Sequence, residues 1–293
     1  MFARIASQFP SIELHMSVTI PQQHIQQQVQ LALAEDIGSG DVTAKLIPVD
    51  QQVTAQLISR EQAILCGTQW VDEVFRQLNG AITIDWNADD GDQINADQMI
   101  CKLQGLARPI LSGERAALNF LQSLSGTATA ANEYVESIKG TNCRILDTRK
   151  TIPNLRLAQK YAVSCGGAMN HRIGLYDAIL IKENHITAAG SITNAVNQAK
   201  TLSPDLLLEV EVETLEQLQE AINAGAQRVL LDNMDNNTLK QAATITHGRL
   251  ELEASGGITL KNVREIADTG VDFISIGSIT KHLRAIDLSM IFI

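Results

Sequence analysis

The sequence lacks the features of secreted and membrane-spanning proteins. It has only four cysteines, and none of them has the C-x-x-C spacing of a zinc or redox motif: Cys66, Cys101, Cys143 and Cys165. No apolar run is long enough to cross a bilayer, and the amino terminus lacks the apolar segment of a signal peptide. These absences predict a soluble protein of the reducing cytoplasm.

The chain also has fewer basic than acidic residues. The chain has 23 Lys and Arg against 33 Asp and Glu, which gives a formal net charge of −10. A surface with this balance does not favour nucleic acid or anionic membranes, so we expect neither as a partner. A local basic pocket is still compatible with this net charge.

The length of 293 residues is enough for two domains. We expect a leader at 1–20, an α/β domain at 21–140 that includes a long connecting helix, and a β/α domain at 141–293 that carries the active site. The extreme C-terminus could pack back on the first domain. The leader has no clear periodicity, and we assign it no role.

The first domain shows short apolar runs separated by turn signals. Alternating patterns predict strands at 53–58, 62–67, 82–86 and 99–103, with one amphipathic helix at 68–78. A longer helix is predicted from about 108 to 138. We expect it to break at 124–129, where Gly and β-branched residues lower helix stability.

The second domain alternates apolar strands with amphipathic helices. The predicted strands are 145–148, 178–181, 206–212, 229–232, 250–254 and 273–276. Such alternation predicts a parallel sheet, either open or closed as a barrel. Because polar groups follow all six strands and could converge only around a common axis, we expect an open, incomplete β/α barrel rather than the usual eight-stranded one.

Cations cluster at the ends of the first two predicted barrel strands. Arg149 and Lys150 follow the first strand, and Lys182 and His185 follow the second. Ligands in α/β folds bind beyond the carboxyl ends of the strands. Each cation alone is best explained as a solvated loop residue. Together they predict an anion site, because like charges at one rim repel each other unless an anion or acidic side chains join them.

Acidic residues mark the next two strands. Glu209, Glu211 and Glu213 alternate and therefore point to one face, which is the interior of a barrel, and Asp232 ends the following strand. Carboxylates opposite Lys and Arg suit a hard cation such as Mg²⁺ that is shared with substrate phosphates. The alternative is a purely structural network of ion pairs, which would bury many charges without a ligand.

Glycine-rich loops follow the last two strands, at 255–257 and 277–278. Glycine lets the backbone approach a ligand, and free N–H groups at helix starts bind phosphate. A phosphate frequently lies on the last two strand-to-helix loops of β/α barrels. We therefore expect a monophosphate at this end of the site.

Several motifs, taken in chain order, resemble one enzyme family. They are EDIGSGDVT at 35–43, GERAALN at 113–119, DTRKT at 147–151, NHR at 170–172, IKENH at 181–185, LDN at 231–233 and DLS at 287–289. The set is similar to quinolinate phosphoribosyltransferase, also called nicotinate-nucleotide pyrophosphorylase (carboxylating), from about residue 30 to the end. The resemblance implies an α/β sandwich domain followed by an open β/α barrel of few strands, in agreement with the six counted above.

The resemblance also implies a reaction and a set of site residues. Quinolinate and phosphoribosyl pyrophosphate would give nicotinate mononucleotide, pyrophosphate and CO₂ in NAD biosynthesis. The implied catalytic residues are Lys150, Lys182, Glu211 and Asp232, the last two also as ligands of Mg²⁺. The implied quinolinate-binding residues are Arg115, Thr148, Arg149, His171, Arg172 and Lys182. The implied phosphate-binding residues are Lys150, Ser255, Gly256, Gly257, Gly277 and Ser278. Arg115 would come from the partner subunit of an obligate homodimer.

Three alternatives remain at this level. A phosphoribosyltransferase that uses nicotinate would have one carboxylate to bind, whereas Arg149, Arg172 and Lys182 with Arg115 favour two. A Schiff-base aldolase would use Lys182 as its nucleophile. A non-catalytic binding protein would keep the phosphate loops without needing the acidic residues.

Overall fold

The computed structural model describes residues 19–293. The predicted leader at 1–20 therefore lies outside the described residues except for its last two positions. Ile20, at its end, is buried in a hydrophobic core. The predicted domain boundaries at 20 and 140 stay predictions.

The first part of the described chain combines three α-helices with short strands. The helices are α1 (Gln22–Ile37), α2 (Thr68–Leu78) and α3 (Ala107–Ser137). The strands are β1 (Gln52–Ser59), β2 (Ala63–Ile64), β3 (Thr83–Trp86), β4 (Gln93–Ile94) and β5 (Met99–Leu106). The helix predicted at 68–78 is therefore confirmed.

The second part alternates strands and helices. The order is β6 (Arg144–Leu146), α4 (Arg156–Cys165), β7 (Ile179–Ile181), α5 (Glu183–Ala189), α6 (Ile192–Leu202), β8 (Leu208–Val212), α7 (Leu215–Ala224), β9 (Arg228–Asp232), α8 (Asn236–Thr246), β10 (Glu251–Ser255), α9 (Val263–Ala267), β11 (Phe273–Ser275), α10 (Ser278–Lys281) and β12 (Leu288–Phe292).

Two larger sheets and one small one organise these elements. The first has the order β12-β1-β5-β3 and is antiparallel, so that the C-terminal strand β12 lies beside β1. The second is parallel, with the order β6-β11-β10-β9-β8-β7. Its end strands β6 and β7 do not pair with each other, and the prediction of an open barrel of about six strands is confirmed. Strands β2 and β4 form the small sheet.

Local sequence signals explain where the barrel helices begin. Ser191, Thr214 and Asp235 each accept a hydrogen bond from the backbone N–H three residues later, at the starts of α6, α7 and α8. Helix α7 ends at Gly225, which has a left-handed backbone with φ of 78°. These caps fix the lengths of the helices that cover the parallel sheet.

Helix α3 runs without a break for 31 residues, so the predicted interruption at 124–129 is wrong. The hydroxyls of Thr127 and Thr129 donate to carbonyls four residues earlier and stay within the helix. Gly126 serves packing, because a Cβ atom there would lie 2.0 Å from the Arg284 carbonyl oxygen. The small residues of this segment let another chain segment approach the helix closely.

The two parts of the chain have separate hydrophobic cores. One lies around α1, α2 and the antiparallel sheet, and the other lies around the parallel sheet. Helix α3 contributes Leu118 and Leu121 to the first core and Ala131 and Tyr134 to the second. Among residues 19–293, no helix combines the length and the hydropathy that crossing a membrane requires.

Candidate active site

A cavity of about 460 Å³ opens at the carboxyl ends of the parallel strands. Because every strand of this sheet points the same way, the residues that end each strand meet at one rim. The lining residues are Thr148, Arg149, Lys150, His171, Arg172, Leu180, Lys182, Glu211, Leu230, Asp232, Glu253, Ser255 and Ser275. All the predicted quinolinate-binding residues except Arg115 thus lie around this one cavity.

The cationic side of the cavity contains Arg149 and Arg172. The Nε atom of Arg149 is buried and has no hydrogen-bond partner among the described residues. Burial and the neighbouring charge of Arg149 lower the pKa of the Arg172 guanidinium. Two guanidinium groups that repel each other, one with an unused donor, are suited to bind an anion.

The buried Asp147 holds this cationic segment in place. Its carboxylate accepts hydrogen bonds from Lys160 Nζ at 2.6 Å, Asn170 Nδ2 at 2.8 Å and the His171 backbone N–H at 2.8 Å. Asp147 and Lys160 are both fully buried. Their contact joins the end of β6 to α4 and to the segment that carries His171 and Arg172. The DTRKT motif therefore contains one structural acid in addition to its site residues.

His171 is a neutral imidazole in this arrangement. The backbone N–H of Arg172 donates to its Nδ1 at 2.8 Å, so that Nε2 carries the proton. Nε2 donates to Glu209 at 2.9 Å and lies 3.5 Å from Glu253. Burial lowers the pKa of His171, in agreement with this assignment. Both ring nitrogens therefore have partners within the protein.

Glu209 and Glu253 form an acidic pair, which we call the buried pair, and Glu253 is the member that lines the cavity. Their side chains are 1% and 0% exposed. Burial, followed by the nearby charge of Glu209, raises the pKa of Glu253 to about 8. Two carboxyl groups this close in a buried setting do not both ionise readily, so Glu253 is a protonated acid at neutral pH.

Glu211 and Asp232 form a second acidic pair, which we call the rim pair, on the wall of the cavity. Lys182 donates a hydrogen bond from Nζ to Glu211, and Asn233 donates to Asp232 at 2.7 Å. Burial and the charge of Glu211 raise the pKa of Asp232. Two neighbouring carboxylates beside open space offer the hard oxygen donors that suit Mg²⁺.

The predicted phosphate loops lie at the same end of the sheet but only partly in this cavity. Ser255 lines it, whereas Gly256 lines a neighbouring groove with Asn233. A Cβ atom at Gly256, where φ is 99°, would lie 2.0 Å from the Asn233 side-chain oxygen, so that glycine is required by the protein itself. A Cβ atom at Gly277 would lie 2.8 Å from Lys150 Cδ.

The remaining phosphate-loop residues are less tightly placed. Gly257 has φ of 61° and open space around the position of a Cβ atom. The Ser278 hydroxyl lies 3.3 Å from the hydroxyl of Tyr134. None of Gly256, Gly257, Gly277 and Ser278 is among the residues that line the main cavity.

Two cations of the motifs lie outside the cavity lining. Arg115 is exposed on α3. His185 is exposed near the start of α5, where its Nδ1 accepts the backbone N–H of Lys182 at 3.0 Å. His185 is thus a capping residue that fixes the backbone of Lys182.

Sequence reasoning missed several cavity residues, namely Leu180, Leu230, Glu253 and Ser275. Glu253 had a signal, because it is an acid that alternates with apolar residues in the predicted strand 250–254. Such an acid must have a partner or a proton when the strand is buried. The two leucines look like ordinary core residues, and only the fold places them at the cavity.

Comparison with protein families identifies this fold and site. The sequence model described as quinolinate phosphoribosyl transferase, N-terminal domain, matches residues 41–125, and the C-terminal domain model matches residues 127–291. The chain belongs to the quinolinate phosphoribosyltransferase family. The resemblance inferred from the motifs is confirmed.

Relatives within the quinolinate phosphoribosyltransferase family cover nearly the whole chain. A probable nicotinate-nucleotide pyrophosphorylase (carboxylating) from Bacillus subtilis is 42% identical over 257 residues, which are 87% of this chain and 89% of the relative. A probable enzyme of the same name from Synechocystis is 40% identical over 266 residues, or 89% and 90% of the two chains. The solved nicotinate-nucleotide pyrophosphorylase of Francisella tularensis has a TM-score of 0.93 at 49% identity and covers 94% of this chain and 99% of that chain.

Proposed function

We propose that this protein transfers the phosphoribosyl group of phosphoribosyl pyrophosphate to quinolinate, releasing pyrophosphate and CO₂ and forming nicotinate mononucleotide for NAD biosynthesis. One observation carries the proposal for this chain. A single cavity combines a group of Arg and Lys side chains with the rim pair of carboxylates. The first group suits a dicarboxylate, and the second suits a metal-bound polyphosphate.

Quinolinate would lie against the cationic side. Arg149 and Arg172 offer forked donors for its two carboxylates, and the buried Nε of Arg149 needs such an acceptor. Lys182 would add a third cation by exchanging its bond to Glu211. His171 would contact a carboxylate only by giving up one of its present partners. A substrate with one carboxylate would leave part of this charge unpaired.

Phosphoribosyl pyrophosphate would extend from the rim pair towards the glycine loops. Lys150 would contact the pyrophosphate, and Ser255 with the loops at 255–257 and 277–278 would take the 5′-phosphate. Glu211 and Asp232 would hold Mg²⁺ and the ribose hydroxyls. Mg²⁺, when bound, would neutralise charge on the pyrophosphate.

The reaction makes modest chemical demands on the side chains. Pyrophosphate leaves C1 of the ribose while Lys150 stabilises its negative charge, and the carboxylates of the rim pair stabilise the positive ribose ring. The pyridine nitrogen then bonds to C1 and becomes cationic. The bond from C2 to its carboxylate breaks and releases CO₂, its electron pair stays on C2 where the adjacent cationic nitrogen stabilises it, and that pair then takes a proton. Holding a dianion in line with the ribose is the protein's main contribution.

Arg115 leads to a proposal about assembly. It is exposed on α3, outside the lining of its own cavity, yet it lies within one of the distinctive motifs. We propose a symmetric homodimer in which Arg115 reaches the partner's cavity. Mixing Arg115→Ala with Lys150→Ala, each inactive alone, should restore about a quarter of wild-type activity through heterodimers with one intact site. No recovery in proven heterodimers would assign Arg115 to its own chain.

The test of the proposed function is a substrate comparison. The purified protein should release pyrophosphate from phosphoribosyl pyrophosphate with quinolinate and much more slowly with nicotinate, which lacks the second carboxylate. Equal kcat/KM for the two substrates would contradict the assignment of the cationic side. The predicted cytoplasmic location stays a prediction, which cell fractionation would test.

A further inference from the structure

Two of the four cysteines lie close to an aspartate, and none of the three residues lines the candidate active-site cavity. Cys66 follows β2, Asp90 lies between β3 and β4, and Cys165 ends α4. One sulfur or oxygen atom from each residue lies within 4.8 Å of the other two. Cys66 and Asp90 fall in the part that matches the N-terminal family model, and Cys165 falls in the C-terminal one. The spacing along the sequence gave no sign of this cluster, because its members are brought together only by the fold.

The carboxylate of this cluster is held in one orientation. One oxygen of Asp90 accepts the backbone N–H groups of Gly67 at 2.9 Å and Thr68 at 3.0 Å. The other oxygen accepts the Tyr161 hydroxyl at 2.9 Å and keeps a further lone pair. Hydrogen bonds of this kind commonly orient carboxylates that bind metal ions.

The cluster lacks a cation of its own. In the described part of the chain, no Lys, Arg or His forms a salt bridge with Asp90. Burial raises the pKa of the Asp90 carboxyl and of the fully buried Cys66 thiol. A hydrogen bond from Cys66 lowers the pKa of Cys165. A bound divalent cation would remove the electrostatic penalty that now opposes ionisation of these groups.

We propose that Cys66, Asp90 and Cys165 form a site for one Zn²⁺ ion between the two parts of the chain. Thiolate ligands favour Zn²⁺ over the hard cation suited to the rim pair. Ligand atoms around tetrahedral zinc lie roughly 3.5 Å apart, so small side-chain rotations within the present spacing would complete the set. Binding releases the thiol protons, and a water molecule takes the fourth position from the partly exposed side of Cys165.

The other candidate cluster, His171 with the buried pair, does not fit a metal ion. Its three ligand atoms are equally close together. However, Nδ1 of His171 accepts the Arg172 backbone N–H, so that Nε2 must keep its proton. A proton occupies the position that a metal would need. The cysteine cluster has no such conflict.

The proposed ion would stabilise the contact between the small domain and the barrel. Cys165 ends α4, and the same helix carries Lys160, which fixes the cationic segment of the cavity through Asp147. An ion that binds only the folded chain raises the melting temperature with its concentration. The site therefore predicts a zinc-dependent melting temperature that does not depend on turnover.

The test uses the full chain, reduced, stripped of metal and titrated with Co²⁺ in excess Mg²⁺. We expect one Co²⁺ per chain with near-ultraviolet sulfur-to-cobalt charge-transfer absorption, and an increase in melting temperature with Zn²⁺. Cys165→Ser should abolish the absorption, whereas Cys143→Ser, a matched change at a distant buried cysteine, should retain it. Tyr161→Phe should weaken binding roughly tenfold.

Asp90→Asn provides a second variant if Cys165→Ser fails to fold, since the amide oxygen can still accept the N–H bonds of Gly67 and Thr68. It should bind Co²⁺ more weakly while it melts near the metal-free wild type. The proposal is overturned if the reduced wild type shows no charge-transfer band with Co²⁺, or if Cys165→Ser binds Co²⁺ normally.

Discussion

The rim pair and the buried pair place the same chemical group in two different settings. Glu209 and Glu211 are two residues apart on β8 and share one face of the strand. Glu209 is 1% exposed and bonded to His171, whereas Glu211 is 19% exposed and bonded to Lys182 at the cavity. Depth in the barrel, and not residue type, therefore separates an acid that holds the protein together from one that can meet a substrate.

The neighbours of each pair follow from this depth. The buried pair has Arg228, whose Nη1 lies 4.0 Å from Glu253 and whose guanidinium stacks 4.1 Å from the ring centre of Phe273. Arg228 is not among the residues that line the cavity, although Glu253 is. The rim pair has Lys182 as its lysine partner and lines the open cavity. We expect mutations of the two pairs to affect different measured properties.

The largest expected effect is on the rim pair and needs no mutation. Removing divalent cations with excess chelator should abolish turnover, because Glu211 and Asp232 would lose the ion they are proposed to hold. Full turnover in excess chelator would show that the reaction does not need a divalent cation at Glu211 and Asp232.

Mutating the rim pair should come next. Glu211→Gln and Asp232→Asn should each lower kcat by about 100-fold or more, because each removes a charge that stabilises the transition state. Thermal melting should change little, since the side chains border open space. A matched change at Glu213, which is exposed at the end of the same strand, should leave both properties near wild type. Loss of folding with retained kcat would reverse the roles of the two pairs.

Mutating the buried pair should instead lower stability. Glu209→Ala leaves the His171 Nε2–H without an acceptor and should reduce the free energy of unfolding by about 1–3 kcal/mol, measured by chemical denaturation. Glu209→Gln keeps an acceptor and should be milder. If Glu209→Ala melts like wild type and only kcat falls, the buried pair is part of the catalytic machinery.

A smaller effect concerns pH. The pKa of Glu253 is about 8 in the folded chain against an ordinary value of 4.5. Between these values the unfolded chain has lost this proton and the folded chain has kept it, so the free energy of unfolding should fall as pH rises through the range. His171, with its lowered pKa, acts in the opposite direction below its ordinary value.

The comparison that isolates Glu253 is wild type against Glu253→Gln. The glutamine cannot ionise, so the fall in stability between pH 4.5 and about 8 should be shallower in the variant. Parallel stability curves would show that Glu253 does not hold a proton in this interval.

Local sequence patterns predicted most strands and helices, but not how deep in the barrel each side chain lies. The barrel strands and the cations after β6 and β7 follow from apolar runs and their ends, so the rim could be anticipated. The different roles of Glu209 and Glu211 could not, because alternation gives the face of a strand and not the position along the barrel axis. Gly126 was misinterpreted as a helix breaker, since only the packed structure reveals the Arg284 backbone beside it.

Clusters of residues that are distant in the sequence could not be predicted from it either. Cys66 and Cys165 are 99 positions apart in the sequence, and no motif spacing joins them. The alternating pattern around Glu253 predicts which face of the strand it lies on, but not whether that face is buried. Arg115 lies in a distinctive motif, but a single chain gives no position for a residue that is proposed to act in a partner.

The central claim is that this cavity couples phosphoribosyl transfer to decarboxylation. The direct measurement uses quinolinate labelled at its 2-carboxylate and counts labelled CO₂ and pyrophosphate in one reaction with phosphoribosyl pyrophosphate. We expect wild type to release equal amounts of labelled CO₂ and pyrophosphate, and Asp232→Asn to lose both products together. Pyrophosphate release without labelled CO₂, or no reaction with quinolinate at all, would contradict it.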